Sequence, residues 1–231
     1  MSAPNPSLNG GKRHWLVLGA AVLGLTSSVT VLAMFLPLVI ADLTTSRLAI
    51  GFAVGVEGLV ALTIPLLVGQ ASDQTWNRLG RRLPYMLAAT PLVIGGLVAI
   101  AFLDTYWLIV GSVFAYFVGY YAYYTAYQAL YPDTLPEEEY GRAWAYQSIF
   151  QGIGVAMALL GGGILLGWSV GAPFLAAAAV FAVVAGASAL VIKERPQSIK
   201  AAKHWRHAGR TFWKRLREDP RLRWFMVSHF F

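Results

Sequence analysis

Long apolar runs alternate with short polar breaks along this chain. Six runs are bounded by charges, Gly or Pro, at residues 15–41, 48–70, 84–103, 106–130, 143–166 and 173–192. Each is about 20 residues or longer, and at ~1.5 Å of rise per residue that crosses a hydrocarbon core of ~30 Å. Lipid offers no partner to an unpaired backbone amide, so the runs are expected to be helices. The first run is too long for a cleaved signal peptide and lacks its small-residue cleavage site. After residue 192 the pattern changes. Trp205, Ala208, Phe212 and Leu216 recur at spacings of three and four among Lys203, Arg206, Arg210, Lys214, Arg215 and Arg217. That predicts a helix with an apolar stripe and a cationic face, suited to an anionic membrane surface. Pro220 ends it, and residues 221–231 read as the opening of a further span.

The expected fold is therefore an all-α membrane protein. A cytoplasmic tail (1–14) leads into a bundle of six transmembrane helices (15–192). A basic cytoplasmic loop with an amphipathic helix follows (193–220), and then the truncated start of a seventh transmembrane helix (221–231).

Composition narrows the class. Hydrophobic residues make up 57% and charged residues 13%, against ~25% charged in soluble domains. So few ionic groups cannot cover a water-facing surface, which excludes disorder, a disulfide scaffold and a soluble enzyme of ordinary makeup. Cysteine is absent, so thiol catalysis, disulfides and cysteine-ligated metals are excluded too. The net charge of +7 could suggest nucleic acid, but its placement argues otherwise. With the N-terminus in the cytoplasm, all of the 18 Lys and Arg residues except Arg47 fall on the inner side. That asymmetry predicts a multi-pass protein of the plasma (inner) membrane, with lipid and no nucleic acid as a partner.

Candidate chemistry is sparse. Glu57 is the one ionisable residue deep inside a run, nine residues into the second helix and ~13 Å from its outer end. A charge there costs ~2.5–3.5 kcal/mol on insertion scales, so such residues face a bundle interior or a wet cavity and serve in proton relays. The alternative is a structural Glu bonded to a neighbouring helix. On the fourth helix Tyr116, Tyr120, Tyr123, Tyr127 and Tyr131 share a face, beside Tyr121, Tyr124 and Gln128. Aromatic faces with hydroxyl edges suit a sugar, although packing, or an interfacial belt for Tyr127 and Tyr131, also accounts for them. Tyr116, Tyr120 and Tyr123 are the ligand candidates. Gln147 and Gln151 lie one turn apart on the fifth helix, where buried amides need a neighbouring helix or a solute. His204 and His207 lack a third ligand, and no phosphate loop or nucleophile elbow occurs. No metal, cofactor or enzymatic activity is expected.

The loop after the second helix is the most informative segment. It runs from Gly69 through Ser72 and Asp73 to Arg78, Gly80, Arg81, Arg82 and Pro84. Asp73 sits against the negative end of its helix dipole and needs partners, which Arg78, Arg81, Arg82 or Arg142 can supply. Such a cluster can latch one conformation and release another.

This segment resembles the G-x-x-x-D-(x)n-R-x-G-R-R signature of the major facilitator superfamily. The longer spacing from Asp73 to Gly80, Arg81 and Arg82 is most similar to sucrose/proton and glycoside–cation symporters. The stretch from Tyr131, Pro132 and Asp133 through Pro136 to Gly141 and Arg142 resembles their fourth-to-fifth-helix loop. Glu57, Gly58, Pro65 and Gly69 resemble their second helix. The resemblance implies one six-helix half of a two-half fold, with solute between the halves. It implies a cytoplasmic gate at Asp73, Arg78, Gly80, Arg81 and Arg82.

The expected function is the N-terminal half of a secondary transporter, moving a sugar or similar small polar solute by alternating access, with a proton as candidate coupling ion. Its partner would be a missing C-terminal half or a second copy of the chain. An exporter of drugs or amphipathic compounds is one alternative. A non-transporting half-module that binds a partner protein is another.

Overall fold

The computed structural model describes residues 11–74, 80–135 and 137–191. The basic loop, its amphipathic helix and the seventh span lie outside the described residues, as does Arg78. Every element described is helical. They are α1 (Gly11–Leu43), α2 (Arg47–Gln74), α3 (Leu83–Phe102), α4 (Tyr106–Thr134), a 3-10 turn (Glu137–Glu139), α5 (Tyr140–Ala156), a π-helical turn (Met157–Gly161), α6 (Gly162–Leu166) and α7 (Ala172–Val191). These make six long spans, because α5, the π turn and α6 run on as one rod. The first, second, fourth and fifth spans extend a few residues beyond their apolar runs, while α3 and α7 match theirs to within one residue.

Five of the spans are long and apolar enough to cross a membrane. The exception is α4. It has 29 residues but carries eight of the chain's 11 tyrosines, whose hydroxyls lower its apolarity. It occupies the space between α2 and α3, where neighbouring helices rather than lipid meet much of its surface.

Helix α1 packs along α5 and α7, α3 packs on α4 and α7, and α2 leans on α4. Leu25, Leu32, Leu36, Met86, Leu97, Phe174 and Phe181 fill the centre and are almost fully buried. The α3–α4 crossing is the closest. A Cβ on Gly96 would stand 2.9 Å from the Ser112 carbonyl, and one on Gly119 would stand 2.9 Å from the Ala89 carbonyl. Small residues at such crossings let backbones approach, the usual source of association inside lipid.

The outer faces of α2 and of the α5–α6 rod are left open. Leu62 is 69% and Leu160 72% exposed, with Leu59, Leu66, Ile149 and Ile164 in the same condition. Apolar patches of this extent belong in lipid or against another protein.

Candidate functional site

Two polar clusters stand out, one within the membrane-spanning part and one at the α2–α3 and α4–α5 loop end. The first is built where α2 meets α4. Ala53, Val56 and Val60 recur at three and four residues and are buried, and Glu57 sits at the edge of that stripe, half-buried. Tyr121 donates its hydroxyl to Glu57 Oε1 at 2.9 Å. One turn along α4, Tyr120 and Tyr124 stack face to face, 6.0 Å between centroids and 3° between planes. Gln128 Nε2 donates to the Tyr124 hydroxyl at 2.7 Å, while Gln128 Oε1 is buried with no hydrogen-bond partner. A carboxyl, parallel aromatic faces and an unused amide oxygen thus lie along one side of α4.

The tyrosine stripe divides. Tyr120, Tyr121 and Tyr124 are half-buried on the α2 side. Tyr116 and Tyr123 are closed into the core. Tyr116 shares a 2.9 Å hydrogen bond with Ser28 of α1. Tyr123 packs edge-on against Phe181 of α7 at 5.2 Å and bonds Ser188. Both phenols are spent on helix neighbours, so of the three expected ligand candidates only Tyr120 remains on the more open side. Tyr127 and Tyr131 are likewise buried, with their hydroxyls 2.6 Å apart.

The fifth-span glutamines stand apart from Glu57. Gln151 is exposed. Gln147 is buried on α5, which packs mainly on α1, and its Oε1 has no hydrogen-bond partner. None of the hydrogen bonds around Glu57 reaches either residue.

The second cluster ties three helix ends together. Gly80 adopts φ 107°, the left-handed region that a side chain makes costly, and so turns the chain to bring Arg81 and Arg82 to the N-terminal end of α3. Arg81 Nη2 donates to both carboxylate oxygens of Asp133, at 2.9 and 2.8 Å, and lies 3.9 Å from Asp73. Arg82 bridges the pair. Its Nε reaches Asp133 Oδ2 at 3.1 Å, Nη2 reaches Asp73 Oδ1 at 2.6 Å, and Nη1 donates to Ser72 Oγ. Ser72 in turn donates to the Gly69 carbonyl at 3.1 Å. The side chains of Arg82, Asp133 and Asp73 are 7%, 20% and 58% exposed. A charge as buried as Arg82 is tolerated only when paired.

Of the four arginines offered as partners for Asp73, Arg82 pairs with it closely and Arg81 stands at 3.9 Å. Arg142 is different: it is exposed on α5 and enters none of the ion pairs of this cluster. The residue missed is Asp133. Its signal was an acid directly after Pro132, in the last turn of α4, where a helix dipole disfavours it unless cations are near. Among the described residues no group of three or more His, Asp or Glu could hold a metal.

The geometry is that of a membrane bundle with a polar intramembrane edge and an ion-paired loop end. Residues 16–231 match the Major Facilitator Superfamily model. The chain belongs to the major facilitator superfamily. No curated protein matches it closely enough to add a named relative. Membership makes the chain a multi-pass integral membrane protein and a secondary transporter of that superfamily, with lipid around it and a small solute as cargo.

Proposed function

We propose that this superfamily member is the N-terminal half of a carrier for a sugar or a similar small polar solute, worked by alternating access and coupled to protons. One observation carries the reading: the Glu57 carboxyl bonded to Tyr121 within the span, beside the stacked Tyr120 and Tyr124. The rings offer flat faces to the C–H side of a sugar. The free amide oxygen of Gln128 accepts a hydroxyl. Glu57 takes up a proton on one side of the membrane and releases it on the other. The inner ends of α2, α3 and α4 form the gate, latched by Asp73, Asp133, Arg81 and Arg82. The distribution of Lys and Arg supports a cytoplasmic N-terminus in the plasma membrane. The open apolar faces of α2 and the α5–α6 rod support a second six-helix body as partner, either the C-terminal half or another copy.

Uptake of labelled sugars into proteoliposomes holding the protein tests this. Glu57→Gln should abolish accumulation driven by a proton gradient while leaving counterflow exchange. Equal gradient-driven accumulation by the variant and the parent would remove Glu57 from coupling. Competition by amphipathic amines and not by sugars would favour the exporter reading.

A further inference from the structure

The fifth span holds a feature that solute binding does not use. Its contact with α1 runs through Gly154, Ala158 and Gly162, each four residues after the last and all buried. Gly154 lies against the Leu23 carbonyl, where a Cβ would come within 2.8 Å. Gly162 lies against the Phe35 ring, where a Cβ would come within 2.6 Å. In an uninterrupted α-helix, eight residues overshoot two full turns by about 80°, which would turn Gly162 that far round the rod from Gly154. The π turn at Met157–Gly161 takes up that lag by placing an extra residue in the turn.

Without the π turn, the residue returning to Gly154's face is seven positions on, within about 20°. That residue is Gly161. In the present structure a Cβ on Gly161 would meet nothing within 4 Å, because Gly161 borders a cavity of about 150 Å³. Ser27, Val31, Met157, Pro173 and Val180 also line this cavity, between α1, the π turn and α7. Both registers therefore present a glycine to Phe35, and there is room beside the rod for the change.

We infer that the outer end of the fifth span is a two-register switch. With the π turn, Gly162 seats on Phe35. With the turn closed to an α-helix, Gly161 seats there instead, and Gly162–Leu166 rotates by about 80° toward the cavity. Small interface changes become discrete movements when a packed element has two arrangements.

The absence of cysteine from the chain makes spin labelling direct. Labels at Ile164→Cys on α6 and Leu38→Cys on α1, both exposed, report the rotation in the full chain in lipid. On a helix of ~5–6 Å outer radius, the two registers should differ by about 7 Å at position 164. Gly162→Ala crowds the Phe35 ring in the π register and should shift population toward the second distance. Gly161→Ala blocks the other register and should leave only the first. A single distance shared by parent and Gly162→Ala overturns the inference. Failure of Gly162→Ala to fold overturns it as well, since a usable α register would accommodate that alanine.

Discussion

Removing Asp133 tests the loop cluster most sharply, because the two acids around Arg82 differ in burial and in number of bonds. Asp133 accepts from Arg81 twice and from Arg82 once, at 2.8–3.1 Å, and its side chain is 20% exposed. Asp73 makes one close contact, with Arg82, at 58% exposure. Breaking a buried pair by deleting one partner costs ~3–5 kcal/mol. Arg82 keeps Asp73 after the loss, so the lower end of that range applies, about 3 kcal/mol. Losing an exposed partner costs ~0.2–1 kcal/mol. For a chain of this size each kcal/mol moves Tm by ~2–4 °C. Asp133→Ala should thus lower Tm by about 6–12 °C, and Asp73→Ala by about 4 °C at most. Thermal unfolding in detergent, followed by tryptophan fluorescence, measures both. Arg81→Ala combined with Asp133→Ala should cost less than the sum of the two single losses, a coupling that a double-mutant cycle isolates. Equal shifts for the two acids, or a larger one for Asp73, would refute the assignment of Asp133 as the main anchor.

Other outcomes follow from single contacts. Tyr121→Phe deletes the hydroxyl that bonds Glu57 and should slow proton-driven uptake by about 5–10-fold, the value of one hydrogen bond of ~1–1.4 kcal/mol; Tyr106→Phe, whose hydroxyl reaches only the Ala49 carbonyl, should leave uptake unchanged. Gln147→Met replaces a buried amide whose oxygen has no partner by a similar volume and should raise stability by ~1–2 kcal/mol, read as a higher Tm; a lower one would mean the amide is satisfied in the membrane. Gly119→Leu should prevent the α3–α4 crossing from forming, whereas Gly95→Ala, with nothing within 4 Å of the added carbon, should fold as the parent does; monodispersity after extraction distinguishes the two.

Five spans were legible from length and apolarity, and α4, less apolar, from a long run free of charged residues. The faces of those helices were not, and α4 shows why. In water a tyrosine stripe at spacings of four and three marks one face against another by polarity. In a bundle whose outside is as apolar as its inside, the same spacing says only that the residues are near one another. Which of them close into the core depends on partners far along the chain: Ser28 for Tyr116, 88 residues away, and Phe181 and Ser188 for Tyr123.

The loop cluster was easier to read because a charge announces its need for a partner. Asp73 at a helix C-terminus required cations, and Arg81 and Arg82, across the Gly80 turn, supplied them. Asp133 in the last turn of α4 carries the same penalty, but its partner Arg81 lies 52 residues away, so the need was legible and the partner was not.

Spacing can also reveal a departure from the α-helix, but only once the neighbouring helix is known. Gly154, Ala158 and Gly162 at a strict period of four look like an ordinary small-residue motif. Set against Leu23 and Phe35 of α1, that period exceeds the 3.6 of an α-helix, and the rod takes up the difference in its π turn. The π turn is therefore a consequence of two contacts held at once. Relieving either contact should release it, so Phe35→Ala alone should let the fifth span relax toward a continuous α-helix, detectable as growth of the second spin-label distance with both glycines intact.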